Sequence, residues 1–241
     1  SYKHFSRFKR DPHYRKILEH VSHDQGQAYL DVLQKRDPAL LDRALQTVLR
    51  SDKVGSPIKS DYGALGPLSP TTLRYVKVAS DLKQLFGETI GADIAEIGCG
   101  YGGQCNVLDT LFEVEEFHLF DLPVVNELIA KYLESYVMRA AYQTCTLNSA
   151  QPRPYDLVIS NYAFSELPKH IEMAYIRKVL AKAKRGYLTM NSGKGGDRDR
   201  GKLTLDELRA VLPPFDIFDE QPLTSRYNYI IVWGHTAGAT L

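Results

Sequence analysis

Four short apolar runs, DIAEIG (93–98), FHLFD (117–121), YDLVISN (155–161) and GYLTMN (186–191), are separated by stretches of helical period. Strand-length runs that alternate with helices predict a parallel sheet covered on both faces, because each crossover lays a helix across the sheet. Residues 137–147 read as a further strand. Pro123 opens one crossover helix, carrying Val124, Leu128, Ile129 and Tyr132, and Pro168 to Lys184 reads as another. Thr204 and Glu207 have the spacing of a capping box before a short helix. The chain then closes on FDIFDE (215–220) and NYIIVWG (228–234) with no helical pattern between them. A link that short joins antiparallel neighbours. The expected fold is α/β: a Rossmann-like, mainly parallel sheet of seven strands with an antiparallel last strand and helices on both faces.

Ahead of the sheet, residues 1–52 read as helices. Asp37 and Pro38 form one helix start, and Leu41, Leu45, Val48 and Leu49 follow at helical spacing. So short an amphipathic stripe needs a partner surface, on the main domain or on another subunit, which allows a homo-oligomer through these helices. Residues 53–70 carry loop chemistry, and a loop this long in a compact domain is more often functional than idle. Ser69 or Thr71 then caps a helix carrying Leu73, Val76, Ala79, Leu82 and Phe86. The expected division is 1–70, a helical extension with an active-site loop making lid, substrate or dimer contacts, and 71–241, the main domain.

Lys and Arg number 30 against 29 Asp and Glu. Dedicated nucleic-acid binders draw most of their affinity from a basic excess, so no nucleic-acid partner is expected. Cys99, Cys105 and Cys145 form no C-x-x-C pair, and their odd number fits reduced thiols and a cytoplasmic location. No apolar run approaches the length of a transmembrane segment, and no signal-peptide core is seen. The seven histidines include no H-x-x-x-H site; His20 and His23 read as a surface pair, and no metal site is expected.

The densest glycine cluster, AEIGCGYGG (95–103), leaves the first strand. Gly98, Gly100 and Gly103 match G-x-G-x-x-G, the phosphate-cradling pattern of dinucleotide enzymes. The same letters fit a loop holding a cofactor without phosphate, or a plain turn. Glu96 stands just before it, where an acid repels a pyrophosphate and suits an ammonium. Asp121 ends the second strand, the place of an acid that binds both ribose hydroxyls in nicotinamide and adenosyl cofactors alike.

With E-x-G-x-G-x-G (Glu96, Gly98, Gly100, Gly102), the acidic second-strand end and the closing strand pair, the chain resembles the class I S-adenosylmethionine-dependent methyltransferases. Within that class the similarity is greatest to the bacterial sugar O-methyltransferase family, through DPHYRKILEHVSHDQG, SPTTLRYVKVASDL, IAEIGCGYGGQ, FDLP and SNYAFSEL. The resemblance implies S-adenosylmethionine as cofactor, S-adenosylhomocysteine as product and a sugar or glycan hydroxyl as acceptor, in a surface polysaccharide or its precursor. It places Glu96, Gly98 and Gly100 toward the methionine part, Asp121 on the ribose, and Leu122 and Asn148 on adenine. Tyr101 in the loop and Ser160 at the fourth strand complete the expected cofactor set. Arg74 either pairs with the cofactor carboxylate or is a solvated helix arginine.

A sugar hydroxyl is a poor nucleophile, so a general base is expected where SNYAFSEL leaves the fourth strand. Glu166 is the first candidate and His170 the second; the alternatives are a first-turn acid on the following helix and a solvent-facing histidine. Tyr162 and Phe164 either flank the sulfonium or pack in the core. Lys194, Arg198 and Arg200 in the loop after the fifth strand either meet an acidic acceptor or belong to a solvated loop. S-N-Y-A in place of N-P-P-Y disfavours base or amide methylation. Another small-molecule hydroxyl as acceptor, and an NAD-dependent oxidoreductase, are the alternative readings.

Overall fold

The computed structural model describes residues 2–241; the side chains of residues 2, 3, 48–51 and 198 lie outside the described residues, and with them the readings on Val48, Leu49 and Arg198. Seven strands form one sheet: β1 (Asp93–Ile97), β2 (Glu116–Phe120), β3 (Ala141–Cys145), β4 (Leu157–Asn161), β5 (Arg185–Met190), β6 (Asp216–Asp219) and β7 (Tyr229–Trp233). Their spatial order is β3-β2-β1-β4-β5-β7-β6. Neighbours from β3 through β5 are parallel, whereas β7 runs antiparallel to both β5 and β6. The fold is the expected Rossmann-like one with a reversed last strand.

The apolar runs are continuous because both faces of the sheet are covered. Ile94 lies opposite Phe117 and Leu157 in register, and all three join one core cluster. Ala95, Ile97, Phe120 and Val158 point the other way and join a second cluster with Tyr175, Ile176 and Leu208. Helices α1 (Pro12–Ile17), α2 (His23–Arg36), α3 (Pro38–Ser51), α4 (Pro70–Phe86), α5 (Gly103–Leu111), α6 (Pro123–Leu133), α7 (Lys169–Tyr175) and α8 (Leu205–Val211) supply the layers. The helical run from Pro168 continues past α7 as a π turn at Ile176–Leu180. Thr204 and Glu207 form the expected capping box of α8.

The N-terminal helices are part of the first core. Leu30 and Leu33 of α2 and Leu40, Leu41 and Ala44 of α3 are buried with Leu73 and Val76 of α4. Ser69 occupies the cap position of α4, but its side chain does not cap the helix. Asp52 ties this end of the helix down, accepting from the Ser69 N–H at 2.9 Å and from the Thr72 hydroxyl at 2.9 Å. Asp81 ties three elements together. Its carboxylate accepts from Arg36 of α2 at 2.7 Å, Lys77 of α4 at 2.6 Å and the Tyr187 hydroxyl of β5 at 2.7 Å.

Candidate functional site

The sheet reverses direction of build between β1 and β4, and open α/β sheets bind ligands beyond the carboxyl ends of strands at such a point. The Gly98–Gly102 loop leaves β1 there. Gly98 has φ +75°, donates its N–H to the Phe120 carbonyl at 2.8 Å, and leaves so little room that a Cβ would sit 2.0 Å from that of Ala163. Gly100, at φ +61°, donates its N–H to Asp121 Oδ2 at 3.1 Å, and a Cβ there would meet Leu18 at 2.6 Å. Only glycine adopts these angles without strain while letting neighbours approach so closely.

Asp121 also accepts from the Leu122 N–H at 2.8 Å. Burial pushes its carboxyl up, and the backbone N–H donors oppose that. Two lobes of one cavity meet over this residue and share Gly98, Asp121, Leu122, Ala163 and Glu166. The smaller, about 520 Å³, has the apolar walls Phe120, Leu147, Ile171 and Tyr175, with Asn148 at its edge. The larger, about 660 Å³, is lined by Arg74, Tyr29, Asn161, Tyr162, Asn191 and Asn228 among others.

Of the residues read from the sequence, Gly98, Gly100, Asp121, Leu122, Asn148, Arg74 and Glu166 line this cavity. The Glu166 carboxylate accepts from Asn191 Nδ2 at 3.0 Å. Arg74 is buried, not solvated, and its Nε has no hydrogen-bond partner among the described residues.

Four expectations need correction. Tyr101 turns away from the cavity into an aromatic cluster, with ring centroids 4.8 Å from Tyr132, 5.5 Å from Phe8 and 6.0 Å from Tyr75, under the Lys9 ammonium. Ser160 is fully buried, donating its hydroxyl to the Ile97 carbonyl at 2.9 Å and accepting from the Phe164 N–H at 3.0 Å; it braces β1 against the turn after β4. His170 is exposed on α7 and lines neither lobe, because α7 presents Ile171 and Tyr175 instead. Glu96 lies behind the glycine loop, buried and outside the cavity wall. Burial, then the charge of Asp121, pushes its carboxyl up to about 8, and its Oε2 has no partner among the described residues.

Tyr162 lines the larger lobe, whereas Phe164 is core. Tyr162 has φ +67°, a left-handed conformation that a bulky residue adopts only where its surroundings impose it. Its N–H donates to the Thr189 carbonyl at 2.9 Å and its hydroxyl donates to the Glu220 carboxylate. Thr224 and Asn228 also donate to Glu220, at 2.7 and 3.0 Å. The loop after β5 is braced by Asp199, which accepts from the Gly193 N–H at 2.7 Å, and Lys194 lies over the Tyr229 ring; neither Lys194 nor Arg200 lines the cavity.

His20, read from the sequence as half of a surface pair, reaches the larger lobe from the segment before α2, as do Tyr14 and Leu18, which the sequence did not single out. No period marks them, since their place depends on how that segment crosses the glycine loop. Burial and Arg74 push the His20 imidazole below its ordinary value, against Glu166 and a backbone hydrogen bond at Ile17. Among the described residues, one group has metal-ligand spacing: Asp93, Glu116 and His118. It lies at the start of β1 and β2, away from the cavity, and the Arg153 guanidinium contacts both Asp93 and His118.

No protein-family model and no curated protein matches the chain. Three solved structures resemble it at TM-score 0.48. One is the methyltransferase domain of bacterial CtHen1-CN, at 16% identity over 68% of this chain and 97% of that one. Another is the mitomycin 7-O-methyltransferase MmcR, at 14% identity over 80% and 68%. The third is an S-adenosylmethionine-dependent methyltransferase from Clostridium acetobutylicum, at 9% identity over 66% and 88%.

Proposed function

We propose that the chain transfers a methyl group from S-adenosylmethionine to a hydroxyl of a sugar, in a surface polysaccharide or its precursor. The observation that carries this reading is the two-lobed cavity hinged on Asp121. The smaller, apolar-walled lobe suits an adenine ring, with Leu122 and Asn148 in its lining, and Asp121, which lines both lobes, suits the ribose hydroxyls. Arg74, which lines the larger lobe, fits the carboxylate of the amino-acid end. Rings of Tyr29 and Tyr162 beside Asn161, Asn191 and Asn228 fit the faces and hydroxyls of an uncharged sugar. Glu166 supplies a carboxylate at the proton-transfer end. When bound, the cofactor supplies an already activated methyl group, so the chain's work is positioning and proton removal.

A dinucleotide would need the first turn of α5 for its pyrophosphate. That turn is packed instead. A Cβ at Gly103 would lie 2.5 Å from the Tyr75 ring and 2.6 Å from the Tyr101 ring, and Gly103 lines neither lobe. Three unpaired cysteines accord with a cytoplasmic site of action. Calorimetry tests the reading: S-adenosylhomocysteine should bind in the micromolar range and NAD should not, and the reverse would overturn it. A radiolabelled methyl-transfer screen over surface-polysaccharide precursors then identifies the acceptor.

A further inference from the structure

His20 enters the larger lobe from the link between α1 and α2, and Glu166 faces the same lobe from the turn after β4. Packing fixes the path of that link. Leu18 abuts Gly100, while Phe8 and Tyr14 pack on Tyr101 at 5.5 and 6.4 Å between ring centroids. Glu166 has one oxygen occupied by Asn191 Nδ2 at 3.0 Å, so its carboxylate is oriented. His20 keeps a solvent-open side, which gives a proton taken there a way out.

We propose that His20 is the general base of the transfer and that Glu166 is its oriented counter-charge, a pairing that rests on the methyl-transfer reading above. In ordinary surroundings an imidazole is a stronger base than a carboxylate by about two pH units, and catalysis favours a base matched to the working pH. The acceptor oxygen forms its bond to the methyl carbon as the carbon–sulfur bond breaks, its electron pair remaining on sulfur and cancelling the positive charge there. The hydroxyl proton passes to the free ring nitrogen of His20. The resulting imidazolium faces the Glu166 carboxylate and returns its proton to solvent. Burial, and then Arg74 in the lobe, disfavour the imidazolium and so favour the neutral base; Asp121, Tyr14, Tyr29 and Tyr162 are the other titratable groups of the lining.

The first test needs no cofactor. Proton NMR titration of the imidazole signals, with His20 assigned by its loss in His20→Gln, should show it titrating below the ordinary histidine value and lower still in Glu166→Gln. In turnover, His20→Gln should bind S-adenosylhomocysteine within twofold of wild type yet lose about 100-fold or more in methyl transfer. The acidic limb of the pH–rate profile should vanish with it, and free imidazole should rescue His20→Ala. An His20 titration unmoved by Glu166→Gln overturns the pairing. Transfer within about threefold of wild type in a His20→Gln chain that binds S-adenosylhomocysteine overturns the base. If the wild-type chain binds no S-adenosylhomocysteine, the methyl-transfer reading itself falls and the base role falls with it, whatever the NMR titration shows of the pairing.

Discussion

Glu96 is a buried acid, one oxygen of which has no partner among the described residues, and its replacement by glutamine isolates the cost of that burial. Burial, followed by the charge of Asp121, raises its carboxyl from the ordinary 4.5 to about 8. A carboxyl raised in the folded state holds its proton there and loses it in the unfolded chain. The folded state is therefore favoured at low pH, and that advantage is lost as pH rises from 4.5 through about 8. At about 1.36 kcal/mol per pH unit, the loss totals about 5 kcal/mol above the upper value and about 3 kcal/mol at neutrality. Glu96→Gln removes the titration while keeping the shape. Urea unfolding of both chains at about pH 5 and pH 9 should show the stability difference moving by about 4 kcal/mol in favour of the glutamine chain. A difference constant to within about 1 kcal/mol would refute the reasoning, because it would mean that Glu96 is as well solvated folded as unfolded.

Asp121→Ala should weaken S-adenosylhomocysteine binding more than tenfold by calorimetry, while Glu166→Gln should leave binding intact and slow transfer. Gly98→Ala forces a Cβ to within 2.0 Å of Ala163 at φ +75°; it should cost about 1–3 kcal/mol of stability by chemical denaturation and lose the cofactor. Asp81→Ala leaves Lys77 buried without its carboxylate at 2.6 Å and frees Arg36 at 2.7 Å; a loss of about 3–5 kcal/mol in urea unfolding is expected.

The strands and their direction were legible because strand burial is written into local sequence. DIAEIG and YDLVISN carry apolar residues at successive positions, on both strand faces, since both faces of the sheet are covered, and the short link before NYIIVWG allowed only an antiparallel return. The glycine loop and Asp121 were legible for a related reason, as a turn at a strand end needs particular residue types there. Tyr101 was misread because the direction of one side chain in a loop depends on what packs against it, here Phe8, Tyr75 and Tyr132. Ser160 was misread because a hydroxyl at a strand end serves a ligand or a neighbouring carbonyl equally well, and the Ile97 carbonyl claims it.

By itself, then, the sequence determined the layers, the strand count, the reversed last strand and the glycine turn that leaves the first strand. All of these follow from spacing between near neighbours in the chain. Tertiary structure alone decided that His20, Glu166 and the buried Arg74 line one lobe. It also decided that Glu96 lies behind the wall. The place of His20 depends on how Leu18, Phe8 and Tyr14 pack the N-terminal segment across the glycine loop, joining residues from distant parts of the chain that no local period connects.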